Sequence, residues 1–331
     1  MVSLGVGLFP TESPLILREL THLAESLGYT NVWYGDSQNI WRETYVTMAA
    51  AAVGTTRVVL GTAVTNATTR HESVLASSWA TLAELTNGRV VMGIGAGDSS
   101  LRTMGMTPMK LADLERAVIR LRALLAGDWV TGPVSGIPYR LDYLAEASPV
   151  PVYLAASSPQ SLRLAGRVAD GVILAVGVDP RSIRSALVDL EEGANEVGRS
   201  LENLDIVLWI PAAIADDGRI ARDLARPHVA SMVVQPRPAE MREEHSEAIA
   251  SIRARYNYFR HMNVEPEVAS LVPDALVDMF ALVGTADECR EKLQALVELP
   301  IDQISIVPQV APGTNRAEAM RLFAELFTEI R

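Results

Sequence analysis

The sequence predicts a single (β/α)8 barrel with insertions, an α/β architecture, and three observations carry that expectation. Short apolar runs rich in Val, Ile, Leu and Gly alternate with helical stretches along almost the whole chain. The runs are continuously apolar rather than alternating, as parallel strands buried on both faces require. Eight of them can be counted, which favours a closed barrel over an open doubly wound sheet. A barrel of this kind needs about 250 residues, so roughly 80 of the 331 belong to insertions.

Taken in order, residues 4–9 open the chain as a strand. The helix at 14–27 follows, with Pro14 in its first turn and Gly28 just past its end, a matched start and stop. Strand 31–34, helix 44–53, strand 58–64, helix 71–85 and strand 90–95 continue the alternation, and 111–125 is the next helix. Residues 127–149 carry Gly, Pro and alternating Tyr and Leu, and read as an inserted hairpin. Strand 152–155, helix 159–168, strand 171–176 and helix 180–197 resume the pattern, both helices beginning on a proline. Strand 206–214 precedes a second insertion near 225–280, which contains the proline-broken run Gln235-Pro-Arg-Pro238 and polar helices with an apolar stripe. Thr285 and Glu288 form a capping box that opens the helix at 286–299, and 303–307 is the eighth strand. No repeat or flexible linker interrupts this order, so residues 1–331 are read as one domain.

Composition narrows the function. Hydrophobic residues make up 49% and charged residues 21%, which suits a globular chain with a large core. The formal net charge of −11 disfavours nucleic acid and anionic membrane surfaces as partners. Cys289, the single cysteine, excludes an internal disulfide and a thiolate metal cluster. His22, His71, His228, His245 and His261 show no metal-ligand spacing, and no G-x-S-x-G elbow is present, so neither a metal site nor nucleophilic hydrolysis is expected. The first nine residues lack a basic leader and no apolar run reaches membrane-span length, so a cytoplasmic enzyme acting on a small molecule is expected.

In such a barrel the chemistry gathers where the strands end. Those ends read Phe9-Pro10, Gly35-Asp36-Ser37, Thr62 to Asn66, Gly95 to Ser99, Ala155 to Ser158, Ala175 to Val178, and Val307 to Gln309. They are mostly small or short polar residues, which suits a flat ring packed on main chain better than a metal or a phosphatase site. Gly93-Ile-Gly-Ala-Gly97-Asp98-Ser99 is not a dinucleotide fingerprint, because its third glycine is misplaced. Gly95 and Gly97 serve either close approach of a planar ring or a tight turn. Ala155, Ala156, Ser157 and Ser158 lie at a helix amino end, which either binds an anionic group or simply caps the helix. Asp36 either orients a substrate and shuttles a proton or bonds nearby backbone.

Gly61-Thr-Ala-Val-Thr-Asn-Ala-Thr-Thr-Arg-His71, Ala80-Thr-Leu-Ala-Glu-Leu-Thr-Asn-Gly-Arg89 and the 93–99 segment together resemble the luciferase-like monooxygenase superfamily. Within it the likeness is to the deazaflavin-dependent branch typified by methylenetetrahydromethanopterin reductase. Pro151-Val-Tyr-Leu-Ala-Ala, Ala165-Gly-Arg-Val-Ala-Asp-Gly171 and Val277-Asp-Met-Phe-Ala-Leu-Val-Gly-Thr285 extend it over nearly the whole chain. The resemblance implies coenzyme F420, with FMN as the alternative, lying over the third and fourth strand ends. It implies a non-proline cis peptide at Ala63–Val64 backing the ring, ring contacts from Thr62, Asn66, Gly97, Asp98 and Ser99, and a ribityl phosphate at Ser157, Ser158, Ala175 and Gly177. Arg102, Lys110 and Arg163 are candidates for the acidic tail of F420.

In several relatives of that family histidine directly follows the acid at the second strand end, where Ser37 stands here. Proton donation then falls to Asp36, to His71 or to water, and Trp41 matches an aromatic wall of the substrate pocket. The implied activity is reduction of a C=C or C=N bond by hydride from the reduced deazaflavin. A two-component FMN monooxygenase and a catalytically silent flavin-binding protein are the competing readings. A homodimer through the helices around 49–52 and 73–79 is also implied.

Overall fold

The computed structural model describes residues 1–132, 136–148, 150–235, 245–311 and 315–330. Eleven strands occur among them: β1 Ser3–Leu8, β2 Asn31–Tyr34, β3 Val59–Thr62, β4 Val90–Ile94, β5 Val130–Thr131, β6 Pro138–Tyr139, β7 Val152–Ala156, β8 Gly171–Leu174, β9 Asp205–Ile214, β10 Leu282–Gly284 and β11 Gln303–Pro308. Eight pair in parallel in the order β1-β2-β3-β4-β7-β8-β9-β11, and β11 returns to β1 through Ser3↔Gln303, closing the barrel. β5 and β6 form the expected hairpin of the first insertion, pairing Val130 with Tyr139. Residues 133–135 and 149 of that insertion lie outside the described residues.

Helices pack outside the strands, and their boundaries fall within two residues of expectation: Pro14–Ser26, Thr44–Ala52, Glu72–Thr86, Leu111–Leu125, Pro159–Val168, Pro180–Asn195 and Ala286–Val297. The capping box of the last is formed, with Thr285 accepting from the Glu288 N–H and Glu288 accepting in return. Cys289 on that helix is buried, and burial pushes its thiol up to about 12.

The barrel lumen is a packed core. Trp33, Val91, Tyr153, Ile173, Val207, Trp209 and Val307 fill it, with Phe9 at the top. Two tryptophans fit because nearby strands supply glycine: a Cβ on Gly61 would lie 2.5 Å from the Trp33 ring, and one on Gly7 would lie 2.4 Å from Trp209. Glycine within these strands therefore marks large side chains opposite.

Three differences from the sequence reading have local causes. The third strand stops at Thr62 rather than continuing to residue 64, because the chain turns through the cis peptide Ala63–Val64 and rejoins the sheet at the Thr65↔Ile94 bridge. β10 was not anticipated; three residues extend the sheet beside the long end of β9, pairing Leu282 with Ala212. The second insertion starts earlier than 225, since the helix Gly218–Val233 is capped by Asp217 and runs through Pro227. Of the proline-broken run at 235–238, only Gln235 lies within the described residues. Val229, Val233, Ile252, Val264, Leu276 and Phe280 give this insertion its own core above the barrel.

Candidate active site

A cavity of about 500 Å3 opens where the strands end. Asp36, Trp41, Ala63, Val64, Gly95, Gly97, Asp98, Ser99, Ala156, Ser157, Ser158 and Ala175 all line it, so twelve of the sixteen expected residues come together. Thr62, Asn66, His71 and Gly177 do not.

The floor is built from the 62–66 turn. The Thr62 hydroxyl donates to the Gly93 carbonyl at 2.6 Å and is fully buried, so it fixes β3 to β4 instead of facing the cavity. The Thr65 N–H donates to the same carbonyl at 2.9 Å, and the Gly95 N–H donates to the Thr65 carbonyl at 3.0 Å. Between these anchors Ala63 and Val64 present the cis peptide to the lumen. The Asn66 side chain is spent on the turn, accepting from the Thr68 and Thr69 N–H groups and donating to Ser100 at 3.2 Å.

Gly95 and Gly97 turn out to serve different needs. A Cβ on Gly95 would meet Val64 Cγ2 at 3.0 Å and Ala155 Cβ at 3.6 Å, so bare main chain faces the cavity there. Gly97 has φ +78°, a conformation that a side chain rarely adopts, and so answers to the turn. Gly177 also has positive φ, and its missing Cβ makes room for the Met279 carbonyl, outside the cavity.

Asp36 is almost wholly buried and fully engaged. Arg70 donates to it from both nitrogens, at 2.6 and 3.2 Å, Thr65 donates at 2.8 Å and Gln38 at 3.1 Å. Tyr45 donates in turn to Thr65 at 3.0 Å. A carboxylate accepting four hydrogen bonds braces the turn beneath the cavity and has no free position for proton transfer. Asp36, expected as an acid or base, lines the cavity with its carboxylate held by Arg70, Thr65 and Gln38. His71 is displaced: it is exposed, caps the helix Glu72–Thr86 and bonds Ser73 at 2.8 Å. Its spacing after the turn carries the chain out over the rim.

At the walls, Trp41 stacks on Phe9 with centroids 4.7 Å apart, and Ser37 bonds Ser99 at 2.8 Å. Asp98 holds Arg102 at 2.6 Å and accepts from Gln235, which ties the second insertion to the rim. Ser158 caps the helix Pro159–Val168 in a box with Ser161, so the capping reading is realised while the same helix end borders the cavity. A narrower groove of about 270 Å3 continues from Leu111 and Gln160 past Arg163, which is paired with Asp189 and Glu192.

Two functional candidates escaped the sequence reading. His228 and His261 both come from the second insertion and line the cavity. Burial depresses His228 to about 3, helped by the nearby His261, and depresses His261 to about 4. His261 Nδ1 shares a 2.6 Å hydrogen bond with the Tyr256 hydroxyl, and its ring lies 6.1 Å from Trp41. His228 falls on the buried face of its helix with Ala221, Ala225 and Met232. That spacing was the only available signal, and a histidine on an apolar stripe is ordinarily core. Among the described residues no cluster of His, Cys, Asp or Glu could hold a metal ion, and no helix is long and apolar enough to cross a membrane.

The chain is similar to known proteins over most of its length. A 5,10-methylenetetrahydromethanopterin reductase of Methanolobus tindarius is 28% identical over 327 residues, covering 98% of this chain and 99% of the relative. An F420-dependent glucose-6-phosphate dehydrogenase of Beutenbergia cavernae is 35% identical over 236 residues, 65% of this chain and 68% of its own. The solved coenzyme F420 dependent tetrahydromethanopterin reductase of Methanopyrus kandleri superposes with a TM-score of 0.78 at 25% identity, over 100% of this chain and 99% of that one. The family model for luciferase-like monooxygenases matches residues 9–303, and with a closed parallel barrel, a turn at Ala63–Val64 and a cavity above it, the chain belongs to that family.

Proposed function

We propose that the chain is a single-domain F420-dependent oxidoreductase that moves a hydride between the reduced deazaflavin and a C=C or C=N bond of a small organic substrate. One observation carries the reading: the cavity floor at Val64 and Gly95 is main chain and small side chains, a cradle that one added Cβ would crowd. The residues present fit a flat tricyclic ring in a cavity of about 500 Å3. The relatives named F420-dependent support the choice of coenzyme.

When bound, the coenzyme supplies the hydride. Val64, Gly95 and Ala155 would hold one face of the ring, leaving the other toward Trp41 and the second insertion. The amino end of the helix Pro159–Val168, at Ser157 and Ser158, suits the anionic chain of the coenzyme. Phe9, Trp41, Trp209 and Met262 keep the site dry. Asp36 is engaged by Arg70, and Ser37 is bonded to Ser99.

A cytoplasmic homodimer completes the reading. Val46 on the helix Thr44–Ala52, Val53 at its C-cap and Val74 on the helix Glu72–Thr86 are 63%, 76% and 53% exposed, which supports pairing through that face. Titration of the purified protein with oxidised F420 and with FMN tests the coenzyme. Binding of F420 at least tenfold tighter, with hydride exchange from the reduced form, is expected. Tight FMN binding without F420 binding reverses the assignment.

A further inference from the structure

The groove that leaves the cavity past Leu111 and Gln160 follows the joint of three helices, and its cations are already paired. Arg163 and Arg167, one turn apart on the helix Pro159–Val168, line it together with Glu115 from the helix Leu111–Leu125. Arg163 holds Asp189 at 3.1 Å and Glu192 at 2.6 Å, both on the helix Pro180–Asn195. Arg167 holds Glu115 at 3.5 Å and Glu196, the C-cap of that third helix, at 3.0 Å. Two guanidinium groups therefore face four carboxylates, and the set is net negative.

An acidic chain laid along this groove gains little from it. Ion pairs as exposed as these are weak and exchange readily. Exchange brings no advantage, however. A carboxylate that captured Arg163 would release Asp189 or Glu192 and leave that acid beside it, and like charges repel at the same short range. Among the three candidates for an acidic tail, Arg102 is held by Asp98 and Arg163 belongs to the paired set. Lys110 alone has no acidic partner among the described residues; it is exposed and directly precedes Leu111, where groove and cavity meet.

We propose that the chain takes its coenzyme by the ring and the phosphate and is indifferent to the length of the glutamate tail, with Glu115, Asp189, Glu192 and Glu196 setting this specificity by occupying Arg163 and Arg167. This rests on the F420 reading given above and deepens it. Lys110 meets the first carboxylate of the tail, and each further glutamate adds a charge that finds its cations taken. Short-tailed and long-tailed forms of the deazaflavin are then equivalent ligands.

The test is equilibrium binding to the full chain, read from the fluorescence of the coenzyme, with F420 bearing one glutamate and F420 bearing six. The two dissociation constants should differ by less than about threefold, and raising the salt should leave their ratio unchanged. The double variant Glu192→Gln, Glu196→Gln alters two half-exposed side chains and frees one side of each arginine. It should bind the six-glutamate form at least about threefold more tightly than the one-glutamate form, a difference that salt erases. Arg163→Gln in the otherwise native chain should leave the ratio as it was. A wild-type preference of about threefold or more for either form overturns the proposal. So does a double variant without tail preference, or an Arg163→Gln chain that loses affinity for the long tail only. If neither form binds, the F420 assignment itself fails and the proposal falls with it; tight binding of both with a clear length preference overturns the proposal and leaves the assignment standing.

Discussion

The two ends of the barrel put their buried groups to different uses. At the amino end, Gln303 accepts from the Trp33 indole at 2.9 Å and donates to Asn31 at 2.7 Å and Thr30 at 3.0 Å. Close by, Glu25 receives the backbone N–H groups of Thr56, Arg57 and Val58. Burial raises the Glu25 carboxyl, but those three donors outweigh it and bring it down to about 2. Every one of these groups has its partners. At the carboxyl end His228 keeps an unpaired nitrogen, Met262 holds φ +64°, and small residues leave a cavity. One end closes the fold and the other trades stability for a binding site, the usual division in this architecture.

The comparison can be strained at several points. The largest effect is expected where the two ends meet, at Gly93. A Cβ there would lie 1.8 Å from the Thr62 carbonyl oxygen, so Gly93→Ala should cost about 4 kcal/mol or more and leave little folded protein in a urea titration. Next, Gln303→Leu removes the acceptor of the buried Trp33 indole and should cost about 2–3 kcal/mol by chemical denaturation, with F420 affinity unchanged. A loss of affinity as large as the loss of stability would show that the ends are not independent.

Acid should separate the ends by pH window. Each of these groups has a folded pKa below its unfolded value, so each stabilises the fold above the unfolded pKa and loses that contribution as pH falls. For His228 and His261 the loss begins near 6.5 and runs down to about 3 and 4, because the unfolded chain takes up protons that the buried rings refuse. For Glu25 it begins near 4.5 and runs to about 2. His228→Gln should therefore flatten stability between pH 6 and 4, and Glu25→Gln should cost about 2 kcal/mol at pH 7 and flatten the curve only below about pH 4.5. The smallest effect on folding belongs to Trp41, whose stacking on Phe9 lies at the rim. Trp41→Ala should shift the melting temperature by less than about 3 °C. Turnover with the cognate substrate should nevertheless drop about tenfold.

Much of the barrel was legible because its signals are local. Continuous apolar runs, Pro14, Pro159 and Pro180 at helix starts, and the Thr285–Glu288 box depend only on neighbours within a few residues. The floor of the site was legible too, through the 61–71 and 93–99 segments whose small residues sit at strand ends. The engagement of Asp36 was not legible because its partners, Arg70 and Thr65, are about thirty positions away in sequence. His71 was misjudged because a spacing cannot tell whether the chain turns inward or over the rim.

By itself the sequence determined the alternation of elements, the closure of eight strands and the run of small residues that floors the cavity, since backbone periodicity and steric size act over short range. Tertiary structure alone decided which polar groups are satisfied. Gln309, 81 residues beyond His228, comes within 3.1 Å of its Nδ1, and Arg70 takes up the carboxylate of Asp36. Hydrogen-bond satisfaction depends on what folding brings within about 3 Å, and no local pattern carries that information.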